Sequence, residues 1–329
     1  MPATNNFQHF IITAFNVDFG LKSREQILSQ SYLSQRFEIF QKICLPSVFH
    51  QVNQNFKWLV FFDSETPESF KNEIYSLGKW TNFIPVFVKK VSNLGGFWRE
   101  IIRKYIDTDT THIITTNLDN DDAISKDFIE IVQKQFCGQE FEFINFAYGY
   151  MLRENGLFLR EFLSSPFISL IEKADNPLTC KNISHNDLFK LSEKGVPVRQ
   201  IIMKPVWIQL VHESNVINRM DINSVLQPIN KLKKNFPIQI NESKYNQSYP
   251  LIQQLDFTYN FLFKNQHQIP LTLKLRRLFI MMLPDVAPSY LNLSLAIKKF
   301  LSPPSILSAS EARSLCEGWT SEYENLKLI

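Results

Sequence analysis

His112-Ile113-Ile114-Thr115-Thr116-Asn117-Leu118-Asp119-Asn120-Asp121-Asp122 joins an apolar, β-branched run to three carboxylates in four positions. A run of that composition reads as a strand covered on both faces. Ligands bind at strand ends in open α/β sheets, so the acidic end marks a candidate site. In an extended backbone, residues two apart share a face, so Asp119 and Asp121 are expected to point together and Asp122 away. Two converging carboxylates repel unless a cation or hydrogen-bond donors offset the repulsion, and Mg²⁺ or Mn²⁺ with phosphate oxygens does so. Rival readings are open at this point. Asp122 can cap a following helix, the whole cluster can be a solvated turn, and an Asp nucleophile would suit a phosphatase. A calcium loop of the helix-loop-helix type needs Gly at its sixth position, which counted from Asp119 is Ile124.

Upstream, Phe10 to Ala14, Trp58 to Phe62 and Ile84 to Val88 are further strand-like runs. Helical stretches lie between them. Arg24 to Phe49 follows a capping box of Ser23 and Gln26, Glu68 to Leu77 follows Thr66 as a cap and Pro67, and Phe97 to Ile106 follows Gly95-Gly96. Residues 125–136 place Phe128, Ile131, Val132 and Phe136 at helical spacing. The alternation predicts a mostly parallel sheet with helices on its faces. Beyond it, Phe143 to Leu152 and Gly156 to Phe162 read as a hairpin, and Pro166 to Arg219 as a binding face rather than more sheet. The polar stretch Asn230 to Pro250 is the boundary candidate, and the tail is expected to be helical, with a second capping box at Ser308 and Glu311. Within the tail, Leu271 to Leu283 mixes Lys274, Arg276 and Arg277 with apolar residues, either as a helix packed on the main domain or as one lying on an anionic membrane surface.

The chain has 329 residues, enough for one large α/β unit with a real core. Thirty-five basic against 32 acidic residues give a net charge of +3, too small a surplus to argue for a nucleic-acid partner. The amino terminus has no basic segment followed by a long apolar run, and no stretch reaches the length of a membrane span, so a cytoplasmic protein is expected. Cys44, Cys137, Cys180 and Cys316 are widely spaced without metal-ligand pairing and are expected to be reduced.

His9 to Asn16, Arg36-Phe37, Cys44 to Val48, Trp58 to Asp63, Leu118 to Ala123, Pro166 to Glu172, Trp207 to His212 and Asn215 to Arg219 occur in an order and spacing that resembles the bacterial putative rhamnosyltransferase family. That family is itself similar to inverting glycosyltransferases of the GT-A fold. The resemblance covers roughly residues 8–220. It implies a GT-A-like domain over residues 1–228, to which composition adds a polar linker over 229–250 and a helical region over 251–329 packed on the main domain. The implied activity is metal-dependent transfer of a sugar, with rhamnose as a candidate, from a nucleotide diphosphate donor to a glycan or lipid-linked acceptor, in the cytoplasm or against the inner face of the membrane. A metal-dependent phosphohydrolase and a non-catalytic nucleotide- or glycan-binding protein of the same fold are the alternatives.

By position, the resemblance assigns Ala14, Phe15 and Asn16 to the donor nucleotide, with Phe15 against the base or ribose, and Asp63 to the pyrimidine ring. Arg99 becomes a donor-diphosphate contact, one helical turn from Arg103 on the same face. Asp119 and Asp121 become metal ligands for Mn²⁺ or Mg²⁺, completed by His212, with Asn215 orienting it; a donor-phosphate contact or a core position are the other readings of His212. Inversion needs a base. Glu172 is the first choice and His185, in Ser184-His185-Asn186-Asp187-Leu188, its companion.

Overall fold

The computed structural model describes residues 6–19, 22–89, 94–154, 156–211, 225–241, 271–283 and 305–326, with residues 255 and 259 ahead of the 271–283 stretch and 286, 289–292 and 294 after it. The first half alternates strand and helix as the periodicity predicts. Its elements are β1 (Phe7–Ala14), α1 (Arg24–Leu28), α2 (Gln30–Ile39), α3 (Leu45–Phe49), β2 (Lys57–Asp63), α4 (Glu68–Leu77), β3 (Phe83–Val88), α5 (Leu94–Arg103) and β4 (His112–Asn117). There follow β5 (Ala123–Ile124), α6 (Phe128–Gln133), β6 (Phe141–Phe146), β7 (Tyr148–Arg153), β8 (Gly156–Glu161), β9 (Ser169–Lys173), α7 (Leu188–Glu193), β10 (Val198–Ile201), β11 (Trp207–Leu210), β12 (Val225–Gln227), α8 (Leu271–Met282) and α9 (Ala309–Leu326).

Among the described residues the main sheet runs β10-β6-β9-β4-β1-β2-β3. Neighbours are parallel except at β9, which pairs antiparallel with both β4 and β6. This is the expected α/β class, a mostly parallel sheet flanked by helices. The two faces are filled separately. Ile11, Val60, Ile114 and Ile171 meet the side carrying α2, α3, α4 and α6, whereas Phe10, Leu59, Ile113 and Leu170 meet the side carrying α5, α7 and α9. Alternation along each strand thus supplies two apolar faces from one run, as a doubly covered sheet requires.

Four local expectations change. Arg24 to Phe49 is not one helix: Ser29 is extended (φ −65°, ψ 144°) and accepts the Tyr32 N–H, ending α1 and capping α2. A π-helical turn over Phe40–Cys44 then leads into α3. Thr66 does not cap α4; its hydroxyl donates to the Asp63 carbonyl at 2.7 Å, and Pro67 occupies the cap position. The aromatic run from Phe143 divides at Ala147, where the chain leaves the main sheet for a second one ordered β12-β8-β7-β11-β5, in which β7 and β8 form the expected hairpin. Finally, β9 and β10 extend the main sheet from a segment read as a binding face; Ser169–Lys173 is apolar enough to be covered on both sides.

Residues 229–241 pack rather than link. Ile229, Leu232 and Phe236 are buried against the second sheet, and Gln239 N–H donates to the Lys42 carbonyl at 2.8 Å. Both capping boxes form, at Ser23/Gln26 and Ser308/Glu311.

Candidate active site

The carboxyl ends of β1, β2 and β4 are stitched together by side chains whose backbones cannot pair further. Asn16, just past β1, donates to Thr66 Oγ1 at 3.0 Å and accepts the Asp63 N–H at 3.2 Å. Asp63 ends β2 with its carboxylate buried, and Oδ1 takes Arg24 at 3.0 Å and the Glu65 N–H at 2.7 Å. Asn120 donates to the Phe15 carbonyl at 2.8 Å, which ties the acidic stretch to the end of β1.

That stretch is a turn, not a continued strand: the Asp122 N–H donates back to the Asp119 carbonyl at 3.2 Å. The carboxylates are therefore distributed by the turn rather than by a two-residue period. Asp119 is half exposed, and its Oδ1 lies 3.7 Å from Lys181 Nζ. Asp121 pairs with Arg36 at 3.1 Å in a largely buried contact. Asp122 is buried and accepts the Leu210 N–H at 2.9 Å; burial first, then Asp121 and Asp119, push its carboxyl well above the usual range. It locks β11 to the turn and does not cap α6, which starts behind Asp127.

Two short 3₁₀ turns, Cys180–Asn182 and His185–Asp187, bring basic groups to the same place. Lys181 Nζ lies 5.7 Å from the Trp98 ring centre and 3.7 Å from Asp119 Oδ1. His185 packs edge-on to Phe162, and burial lowers its pKa below the ordinary value, opposed by the nearby charges of Asp119 and Asp187. A neutral imidazole beside a half-exposed carboxylate can accept a proton. Hard carboxylate oxygens at Asp119 and Asp121 suit Mg²⁺ or Mn²⁺. Among the described residues no group of three His, Cys, Asp or Glu is placed to hold a metal ion, and the third expected ligand, His212, lies outside them, as does Asn215.

Residues 18–224 match the model of the family described as "Putative rhamnosyl transferase". The chain belongs to this family. The acid turn, Asp63, Lys181 and His185 all lie inside the matched segment of the rhamnosyl transferase family, and α8 and α9 lie outside it. No curated protein matches the sequence. Among solved structures, the chain is similar to residues 1–349 of S. aureus TarS, at 12% identity and a TM-score of 0.37, covering 62% of this chain and 60% of that one. It is similar to the same TarS fragment in complex with UDP, at 14% identity and a TM-score of 0.38, covering 63% and 60%. A third likeness is to the inositol-1-phosphate CTP transferase from T. maritima, at 11% identity and a TM-score of 0.31, covering 62% and 89%. The chain spans about three fifths of the length of the TarS fragment.

Several residues assigned from sequence are not brought to the acid turn. Phe15 is core: its ring packs on Phe37, Phe62 and Phe40 at 4.5, 5.0 and 5.4 Å, so it is not available to stack on a base. Ala14 is still within β1, paired with Phe61. Glu172 pairs with Ile113 at the amino end of β4, whereas the acid turn follows the carboxyl end. Its carboxylate is fully buried and accepts the N–H groups of Leu178 and Thr179 at 2.6 and 2.8 Å, which leaves it no route to an acceptor hydroxyl. Arg99 pairs with Glu317 on α9 at 2.7 Å, and Arg103 donates to Asn176 at 2.5 Å. Both arginines are committed to the α9 side of the sheet. In their place the fold supplies Arg24, Arg36 and Lys181, each facing one of the strand-end aspartates. Arg24 and Arg36 sit on the helices that follow β1, a topological signal; nothing local in the sequence marks Lys181.

Proposed function

We propose that this protein is a metal-dependent inverting glycosyltransferase that moves a sugar, with rhamnose as the candidate, from a nucleotide diphosphate donor to a glycan or lipid-linked acceptor. The observation that carries the reading is the half-exposed Asp119 carboxylate at the carboxyl ends of the parallel strands, 3.7 Å from the Lys181 ammonium. Family membership supports sugar transfer as the reaction.

In this reading, Asp63 and the Arg24 it holds bind the pyrimidine end of the donor, with Asn16 fixing Asp63 in place. Asp119 and Asp121, with His212, hold a Mn²⁺ or Mg²⁺ ion. When bound, that cation offsets negative charge on the leaving diphosphate. His185 takes the proton of the acceptor hydroxyl as its oxygen forms the new bond to the anomeric carbon from the face opposite the nucleotide. Peripheral contact with an anionic membrane, where lipid-linked acceptors reside, is supported by α8: Leu271, Leu275, Phe279 and Leu283 form an exposed apolar stripe at four-residue spacing, in a segment that carries Lys274, Arg276 and Arg277. Among the described residues no helix is long and apolar enough to cross a membrane.

The test is the slow hydrolysis of thymidine diphosphate rhamnose, with water as acceptor, followed by proton NMR before the free sugar equilibrates. The first-formed rhamnose should have the anomeric configuration opposite to the donor's. Retained configuration would sink the inverting mechanism.

A further inference from the structure

We propose that Lys181 binds the donor's diphosphate and that Glu172 is a positioning residue which sets Lys181 from the far end of the sheet. This rests on the reading of the acid turn as the diphosphate end of the crevice.

The segment between Glu172 and Lys181 is laid along the sheet face and pinned at successive points. Glu172 Oε2 accepts the Leu178 N–H at 2.6 Å and Oε1 accepts the Thr179 N–H at 2.8 Å. Thr115, two residues farther along β4 than the Ile113 that pairs with Glu172, accepts the Cys180 N–H on its hydroxyl at 2.8 Å. The next residue is Lys181, whose ammonium reaches 3.7 Å from Asp119. The path from the amino end of β4 to its middle is thus spanned by hydrogen bonds to main-chain N–H groups, and Lys181 covers the rest. Thr179 sits in the middle with φ +74°, and among the described residues it is the sole non-glycine with positive φ. A β-branched residue in that region is strained and persists only where its surroundings hold it. Two N–H bonds to one buried carboxylate and a third to Thr115 are that hold. Arg313 on α9 lies 3.6 Å from Glu172 and, with the two N–H groups, favours its charged form against burial, which pushes the carboxyl up to about 7.

The lysine so placed is suited to an anion. Its side chain is mostly buried beside Trp98, which fixes its direction. A separation of 3.7 Å is a contact of charges rather than a hydrogen bond, so Asp119 does not saturate the three ammonium donors. A diphosphate arriving at Asp119 would meet those donors directly, and charge-assisted bonds of this kind are the strong ones.

Isothermal titration with UMP, UDP and inorganic pyrophosphate in Mn²⁺ tests both parts. Lys181→Met should weaken UDP and pyrophosphate by about tenfold to a hundredfold, change UMP by less than about threefold, and leave the unfolding temperature close to that of wild type. Lys181→Arg should restore most of the loss. Glu172→Gln keeps the volume but offers one acceptor for two N–H groups; it should weaken UDP by about threefold to tenfold and add almost nothing when Lys181→Met is already present, because the two act through one contact. Should Glu172→Gln not fold, Thr115→Val reads the same coupling at the next pin. Unchanged UDP affinity in Lys181→Met, or equal losses for UMP and UDP, overturns the diphosphate role. Independent, multiplying losses for Glu172→Gln and Lys181→Met overturn the positioning role. A wild-type protein that binds no nucleotide defeats the reading of the site itself, and this proposal with it.

Discussion

Asp119 and Asp121 are neighbours on one turn but differ in what surrounds them, so their removal should have different consequences. Asp119 is half exposed and adds little to the core, so Asp119→Ala should change stability by about 0.5 kcal/mol or less while Mn²⁺-dependent UDP binding is lost. Asp121→Ala removes a largely buried ion pair to Arg36 and should cost about 1 to 3 kcal/mol as well as binding. Urea unfolding beside titration calorimetry separates the two; equal stability losses would contradict the placement of Asp119. His185 gives a pH signature. Burial lowers its pKa, so the base form persists to lower pH than for an ordinary histidine, and the rate should rise with pH along a limb centred below 6.5. His185→Gln should reduce turnover by about 10² to 10⁴ with donor affinity kept, and a variant that retains the acidic limb would assign it to another group. Asp63→Ala should weaken UDP and leave inorganic pyrophosphate binding nearly unchanged, because in the proposed reading Asp63, at the end of β2, and the Arg24 paired with it meet the pyrimidine rather than the diphosphate; equal losses for the two ligands would move Asp63 out of base recognition.

At the scale of elements, β1 carries a titration of its own. His9 is buried, bonded through Nε2 to Thr116 Oγ1 at 2.8 Å, and burial holds its pKa down to about 3. The unfolded chain therefore binds a proton that the folded chain refuses. Its contribution is full above about pH 6.5 and is lost as pH falls toward 3, by ~1.4 kcal/mol per unit. Wild type should lose stability across that window more steeply than His9→Gln in urea unfolding, and parallel curves would refute the buried neutral ring. The second sheet depends on a close approach: a Cβ at Gly149 would fall 1.9 Å from the Trp207 ring, so Gly149→Ala should destabilise by about 1 to 3 kcal/mol or displace that ring, seen as a changed near-ultraviolet spectrum. These elements also show what the sequence could reveal. Strands β1 to β4 and helices α4 and α5 were legible because each buries a face of fixed period, and the acid turn because three carboxylates ending an apolar strand are conspicuous. Strand β9 was not, since an antiparallel insertion between β4 and β6 is a long-range pairing with no local mark. The expectations for Phe15 and Glu172 differ from the structure for separate reasons: Phe15 stands at a strand end but turns its ring into the core, and Glu172 lies on a strand antiparallel to β4, which carries it to the opposite end of the sheet. Lys181 was missed because a bend of the chain after Thr179, not a motif, carries it to Asp119.

The whole molecule places the acid turn at the carboxyl end of β4, the central strand of the main sheet, and leaves a stripe of apolar residues on α8, beyond the segment matched by the family. If that stripe meets a membrane, Leu275→Glu with Phe279→Glu should abolish sedimentation with vesicles containing anionic lipid and leave UDP affinity untouched; unchanged sedimentation would remove the membrane contact and not the transferase reading. The reading itself stands on the donor. The most direct measurement is thermal unfolding with a panel of nucleotide diphosphate sugars, with and without Mn²⁺, on wild type and on Asp119→Ala. A true donor at about a hundred times its dissociation constant adds about 2.7 kcal/mol of apparent stability, a shift of several degrees at most. The account predicts such a shift for a pyrimidine nucleotide sugar in wild type with Mn²⁺, and its loss in Asp119→Ala. No shift with any nucleotide sugar, or an equal shift in both proteins, would contradict it.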